Sequence, residues 1–417
     1  MKIWIFNNYN MLPEHGPMNR HYHFGKRLKE LTHEPVVFVG SHPHNTDEQL
    51  LKGAEKYRVF QEEPFPWILV KTLKYGRSRK KQILSMFQFY LNGKKAAKYV
   101  SARYGKPDVV LGSSAHPLAA LLAVQLAKKN GCRSVVEIRD LWPESIVALG
   151  IAGPCNPAVI VLRRLEKWLY KHADAVVFTQ EGAYDYIVEQ GWEHDVPRSK
   201  VFYVNNGVDL DLFYWNREHF QWEDPDLEDL KTFKLVYTGS IREANGLVQL
   251  IECAKVLREK ENIKFLAFGG GGDLDMLRER CQKEGLTNLV FKGPVGKKYI
   301  PGILSKCDAT LLNYTPDSVK LFRFGNSQNK LFEYLASGKP VLTNVKLLYN
   351  PADHRHCCYT AASPSGKDYA AAVMTLYNLT SEEYKAACRA AKETAEEYDF
   401  KILTEKLLEV LEGHKRQ

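Results

Sequence analysis

Short β-branched and aromatic runs alternate with longer helical periods along this chain, and the alternation stops once and then starts again. Strand patterns occupy residues 3–6, 36–39, 109–111, 134–138, 175–178 and 201–204, and a helical pattern covers 21–31. Strand–helix alternation of this kind predicts a parallel, doubly wound sheet. The turn Asn205-Asn206-Gly207-Val208-Asp209 leads into an aromatic and acidic stretch, 213–230, without clear period. Strand patterns return at 235–237, 263–268, 289–291, 309–312 and 341–343, with helical patterns at 246–259, 273–284 and 329–337. A chain of 417 residues exceeds one ordinary α/β core. The expectation is an α/β chain of two Rossmann-like domains, 1–208 and 209–388, with a C-terminal helix, 389–417, placed to pack back toward the first. Ligands belong at the carboxyl ends of such strands.

Other features narrow the class. The eight cysteines are scattered without a C-x-x-C pair, so free thiols in a reducing cytoplasm are expected rather than a zinc site or a disulfide framework. The opening Met1-Lys2-Ile3-Trp4-Ile5-Phe6 is too short for a signal peptide. The long apolar stretch 109–127 carries Gly112-Ser113-Ser114 and His116-Pro117 in its middle, which fits strand, turn and helix rather than a membrane span. The net charge of +9 is uneven: residues 64–107 contain no Asp or Glu. That stretch holds many Lys and Arg interleaved with Phe65, Trp67, Tyr75, Phe87, Phe89 and Tyr90. Such a pattern suits an anionic membrane surface; a solvated helical face over ordinary core aromatics is the competing reading. No nucleic-acid motif accompanies it.

Four segments at strand ends can carry chemistry. Gly269-Gly270-Gly271-Gly272 lies between a strand and a helix, where backbone N–H groups can meet an anion; a plain tight turn explains four glycines equally well. Asn329-Lys330-Leu331-Phe332-Glu333 opens a helix. Its N-terminus beside Lys330 is a seat for a diphosphate, and Glu333, one turn on, can accept both hydrogen bonds of a ribose diol. In Thr238-Gly239-Ser240-Ile241-Arg242, Gly239 permits close backbone approach and Arg242 can clamp a diphosphate. The first half places Glu14-His15-Gly16-Pro17, Ser114-Ala115-His116-Pro117 and Arg139-Asp140-Leu141-Trp142-Pro143-Glu144 beyond its strands.

Together these segments resemble glycosyltransferase family 4 of the GT-B fold, in the WbuB-like branch that builds bacterial surface polysaccharides. The resemblance rests on Gly16 with Arg20-His21-Tyr22, Arg139-Asp140-Leu141-Trp142-Pro143-Glu144-Ser145, Asn206-Gly207-Val208-Asp209, and the run from Asn329 through Leu335-Ala336-Ser337-Gly338-Lys339-Pro340. It implies two domains facing a central cleft, with a nucleotide-sugar held by the second. By that resemblance Glu333 holds the ribose, Arg242 stands near the diphosphate and Val295 meets the base edge. Gly16 approaches the phosphates, His116 is the sugar-side histidine and Asp140 a cleft acid. Asn329, Lys330, Leu331, Gly239, Gly270 and Gly271 complete the donor-binding set, with His116, Asp140, Arg242 and Lys330 as the catalytic candidates.

Two departures stand out. A position that often holds a Glu facing the transferred sugar is Gly325, and Asn245 replaces a basic residue before Gly246; Lys330 is expected to supply part of that missing charge. Asp209-Leu210-Asp211 spells a metal-binding D-x-D, yet Asp209 belongs to the inter-domain turn, so no metal role is expected. The resemblance implies retaining, metal-independent transfer of a hexosyl or N-acetylhexosaminyl group from a UDP-sugar, without a further cofactor. The acceptor is a glycan or polyprenyl-diphosphate-linked saccharide, at the cytoplasmic face of the plasma membrane. An enzyme like UDP-N-acetylglucosamine 2-epimerase and a non-catalytic sugar- or lipid-binding protein are the alternatives.

Overall fold

The computed structural model describes residues 1–16, 18–43, 48–60, 63–76 and 78–413; Pro17 and Arg77, named among the sequence candidates and the basic stretch, lie outside them. The chain divides into two compact units, 1–205 with 400–417, and 206–399.

In the first unit the strands are β1 (Lys2–Phe6), β2 (Glu34–Gly40), β3 (Tyr57–Phe60), β4 (Trp67–Val70), β5 (Val109–Ser113), β6 (Arg133–Ile138), β7 (Ala175–Phe178) and β8 (Val201–Tyr203). They form one sheet in the order β3-β4-β2-β1-β5-β6-β7-β8. All pairs are parallel except β3 with β4. The order reverses between β1 and β5, which opens a crevice at their carboxyl ends. Ile3, Ile5, Val37, Val109 and Leu111 are fully buried, as expected of strands covered by helices on both faces.

The second unit contains β9 (Phe233–Thr238), β10 (Ile263–Phe268), β11 (Leu289–Gly293), β12 (Ala309–Leu312), β13 (Val341–Thr343) and β14 (Cys358–Thr360). Its sheet runs β11-β10-β9-β12-β13-β14, with every pair parallel. Here the reversal lies between β9 and β12. Both sequence-predicted doubly wound halves are therefore present.

Two corrections concern local structure. The stretch 213–230 is not irregular throughout: helices Leu210–His219 and Pro225–Glu228 occupy much of it. Asp209 caps the first of these, its carboxylate accepting from Leu212 N at 3.2 Å, as N-cap aspartates do. Most aromatics of the basic stretch are core residues. Phe65, Trp67, Tyr75 and Phe89 are buried: Trp67 opens an inner strand between β3 and β2, Phe89 lies on the core side of the helix Arg79–Tyr104, and Tyr75 packs with Tyr9 and Met86. Phe87 alone of the six is exposed, with Tyr90 between the two classes.

The helix Ser381–Glu397 is continuous and lies in the second unit, opened by a capping box of Thr380 and Glu383. The chain then enters the helix Phe400–Glu412, part of the first unit. Phe400 stacks on His23 at 4.6 Å, and Arg133 Nε donates to Val410 O at 3.0 Å. Among the described residues no helix is long and apolar enough to cross a membrane.

Candidate functional site

The second unit gathers its sequence candidates at the carboxyl ends of β9, β10 and β11. Gly269, directly after β10, donates to Gly293 O at 2.7 Å. A Cβ on Gly269 would stand 1.7 Å from Gly239 O, at a backbone φ of +155°; only glycine lets these two strand ends close together. Ile241 N donates to Gly270 O at 2.8 Å, extending the contact past the strands, with Gly271 following. Val295 lies in the loop after β11, partly open to solvent.

Against these loops stands the helix Asn329–Ala336. Its placement comes from Tyr334, whose hydroxyl accepts from Thr238 N at 2.9 Å and donates to Thr238 O at 3.0 Å. The end of β9 is thereby pinned one turn inside the helix. No acid lies in its first turn and no side chain caps it from Gln328, so the positive end of its dipole is uncompensated there.

Lys330 is the centre of this arrangement. Its Nζ donates to Tyr237 Oη at 3.0 Å and Asn245 Oδ1 at 3.1 Å, and lies 4.5 Å from the Tyr237 ring centroid. Tyr237 Oη in turn donates to Ser240 O at 2.7 Å. Burial pushes the Lys330 ammonium down to about 7, since desolvation disfavours the charged form. No carboxylate pairs with it among the described residues. An ammonium of this kind gains most from an anionic ligand.

Asn245 explains one departure from the family pattern. Its amide nitrogen donates to Ser240 O at 2.8 Å and Ser240 Oγ at 3.0 Å while its oxygen holds Lys330. A basic residue there would face Lys330 with like charge. Glu333 is partly buried and 3.4 Å from Lys297 Nζ, a partner the sequence did not suggest. Arg242 is exposed, and no contact joins it to Lys330. Leu331 has a buried side chain, and its amide, in the first turn, donates to Gln328 O at 3.1 Å, so its side chain serves packing and only its backbone faces the helix start. Asn329 is the first residue of the helix, and Gly325 is buried at φ +132°.

In the first unit, His116 follows β5 and precedes the helix Pro117–Asn130. It is fully buried, edge-on to Tyr9 and Phe89 at 5.7 Å each. Neither ring nitrogen has a hydrogen-bond partner among the described residues. Burial lowers it to about 3. Desolvation favours the neutral imidazole, which can donate one hydrogen bond and accept another. Asp140 remains open to solvent, its carboxyl raised by the surrounding protein against the opposing charge of Arg139. Gly16, at φ +151°, follows the short turn Pro13–His15. Beside it lies a hollow of about 230 Å³ lined by Met11, Leu12, His15, Phe60, Trp67 and Leu69 among others, which sequence reasoning missed because β3 and β4 were not recognised.

A buried charge network was missed too. Glu137 on β6 is fully buried, with Arg20 Nε at 2.7 Å from Oε1 and His21 Nε2 at 2.9 Å from Oε2. Arg20 also donates to Val204 O at 2.8 Å and to Asn205 O. Burial alone would raise the Glu137 carboxyl, but Arg20 and then His21 hold it well below the usual range.

The family pattern described as Glycosyltransferase Family 4 matches residues 19–212, and that of Glycosyl transferases group 1 matches 220–394. The chain is 24% identical to WbjE of Pseudomonas aeruginosa, named as a glycosyltransferase, over 286 residues, 66% of this chain and 67% of that one. It is 27% identical to WcaI of Escherichia coli strain K12, named for colanic acid biosynthesis, over 222 residues, 51% and 52% of the two chains. The match thus spans about two thirds of the first relative and about half of the second. Among solved structures, sucrose-phosphate synthase of Thermosynechococcus elongatus matches with a TM-score of 0.70 at 13% identity, covering 99% of this chain and 98% of that one. HepE of Anabaena, in complex with UDP, matches at 0.66 and 14%, covering 99% and 100%. At such identities these structures show the fold alone, and it is GT-B. With the two family patterns following one another over most of its length, the chain belongs to glycosyltransferase family 4 and is a transferase enzyme.

Proposed function

We propose that this enzyme moves a hexosyl or N-acetylhexosaminyl group from a UDP-sugar to a glycan or lipid-linked saccharide in bacterial surface polysaccharide synthesis. It does so with retention of configuration and without a metal ion, at the inner face of the plasma membrane. The observation that carries the donor side is Lys330: a half-buried ammonium without a carboxylate partner among the described residues, beside an uncapped helix start and the glycine ends of β9 and β10. The UDP in the HepE complex supports the choice of nucleotide.

In this reading the bond from the anomeric carbon to the diphosphate oxygen breaks as charge grows on the leaving UDP. Lys330, Arg242 and the first-turn amides of the Asn329–Ala336 helix stabilise that charge. Glu333 accepts from the ribose diol after sharing or releasing Lys297. The acceptor hydroxyl attacks the same face, and its proton passes to the departing diphosphate. His116, neutral, and Asp140 orient sugar hydroxyls.

The test is a reaction series followed by mass spectrometry, with a panel of nucleotide-sugars, a lipid-linked saccharide and EDTA. We expect a saccharide one sugar longer from a UDP donor, undiminished by EDTA. Glu333→Ala and Arg242→Ala should each lower turnover by about 10²–10³-fold with the fold intact. Wild-type turnover in both variants, or release of a 2-epimer from donor alone, would overturn the assignment.

A further inference from the structure

The first unit carries two exposed apolar surfaces that its own core does not use. One is on the helix Arg79–Tyr104, where Ile83, Leu84, Phe87 and Leu91 recur at helical spacing and are each at least 51% exposed. The other covers the end of the helix Trp142–Ala148 and the start of the helix Pro157–His172: Leu149, Ile151, Ile160 and Val161 are exposed by 38–61%. Residues 146–162 contain no Asp, Glu, Lys, Arg or His, and the segment from Gly153 to Ala158 is open to solvent throughout. Isolated exposed apolar residues are ordinary; clusters of this kind mark interaction surfaces.

The topology brings the two together. Both long helices return to the sheet immediately before a strand, at 109 and at 175, so their N-terminal halves point toward the carboxyl edge. At 1.5 Å per residue, the 26-residue helix is about 39 Å long against about 17 Å for a five-residue strand. Its first turns therefore overhang that edge. The helix Pro117–Asn130 packs against both long helices and lies between them. Met86, on the inner side of the first stripe, shares a cluster with Ala115, Leu118 and Trp142, the last of which opens the helix leading to the second surface.

Charge identifies the occupant. Arg79, Lys80 and Lys81 precede the first stripe, and Lys94, Lys95 and Lys98 follow it; all six are exposed, and none forms an ion pair among the described residues. Arg164, exposed, follows the uncharged segment. Apolar side chains ringed by unpaired cations fit an anionic lipid headgroup layer, with the side chains entering the acyl boundary. A second copy of this chain would set the same cations against one another.

We propose that the enzyme docks on an anionic phospholipid bilayer through these two surfaces, with residues 149–161 as the inserting element and the Arg79–Tyr104 helix lying along the headgroups. This deepens the membrane side of the proposed function, resting on it only for the lipid tail of the acceptor. It also places the carboxyl edge of the first sheet, with His116 and Asp140, at the lipid surface from which such an acceptor extends.

Cys155 lies inside the inserting element and is the one exposed cysteine of the eight. The full chain, labelled there with an environment-sensitive fluorophore, is mixed with vesicles of phosphatidylglycerol and phosphatidylethanolamine, or of phosphatidylcholine alone, and floated on a density gradient. We expect flotation and a blue shift with the anionic vesicles only. The pairs Ile151→Asp with Val161→Asp and Phe87→Asp with Leu91→Asp should each lower partitioning at least tenfold, about what 1.4 kcal/mol of lost binding gives. UDP binding by calorimetry and thermal unfolding should stay as in wild type, so that membrane docking and the nucleotide assignment fail separately. Equal partitioning of wild type and both pairs, an unshifted fluorophore, or equal flotation with phosphatidylcholine would overturn the proposal. So would a wild-type dimer that ignores vesicles and becomes monomeric in the variants, which would make this a self-association surface.

Discussion

Replacing Lys330 by Ala should lower kcat/KM for the nucleotide-sugar by about 10³-fold, a loss of about 4 kcal/mol of transition-state stabilisation. The expectation follows from what surrounds the amine. Tyr237 Oη and Asn245 Oδ1 hold it without neutralising it, and burial has already brought its ammonium down to about 7. A diphosphate supplies the missing countercharge and draws the amine back to its protonated form. Free enzyme above pH 7 carries Lys330 largely as a neutral amine, so binding of UDP there must take up a proton. UDP affinity should accordingly fall by up to about tenfold per pH unit above 7 and level off below it. Calorimetry at pH 8 in buffers of different ionisation enthalpy reads that proton directly. In Lys330→Ala the uptake and the pH dependence should vanish together, while Lys330→Arg keeps the charge and loses the dependence. A wild-type enzyme whose UDP affinity is flat from pH 6 to pH 9 would contradict the role given to Lys330.

The second large effect is on stability. Glu137→Ala should destabilise the first unit by about 3–5 kcal/mol, the range for removing one partner of a buried ion pair. Arg20 would stay buried without the carboxylate that its Nε reaches at 2.7 Å, keeping the carbonyls of Val204 and Asn205, and His21 Nε2 would lose the carboxylate at 2.9 Å. Because the Glu137 carboxyl is held well below its ordinary value, its contribution is complete above the unfolded-state value. It is lost as pH falls through the folded one. Urea unfolding at pH 7 measures the first claim. A series toward pH 3 measures the second, with the wild type losing its advantage over Glu137→Gln as the carboxyl protonates. A shift below about 1 kcal/mol in Glu137→Ala would show that the network contributes little.

Much of this architecture was legible because doubly wound sheets write it locally. Val, Ile and Phe runs mark buried parallel strands, and the second series of strand ends carries its candidate ligand loops in adjacent residues, as at Gly269 to Gly272. The helix from Asn329 was readable from its loop, its apolar period and the Gly338-Lys339-Pro340 that ends it. The same period puts the side chains of residues 331, 332 and 335 on the buried face. What sequence could not show depends on distant partners. Glu137 is 117 residues from Arg20, and Lys330 is 85 from Asn245; no local pattern joins them. The strands Tyr57–Phe60 and Trp67–Val70 are four residues each, and the second sits where basic residues begin, so its composition resembled a surface. The uncharged run 146–162 was visible as letters, but its exposure came only from the fold.

The central claim is that the loops after β9 and β10, together with the helix Asn329–Ala336, form the seat of a nucleoside diphosphate. A crystal structure of the enzyme soaked with UDP tests it most directly. The diphosphate should lie within hydrogen-bond reach of Lys330 Nζ and of the backbone between Gly239 and Gly271, with the ribose hydroxyls on Glu333. UDP bound anywhere else, or a Glu333 carboxylate still paired with Lys297 and turned away from the ribose, would contradict it.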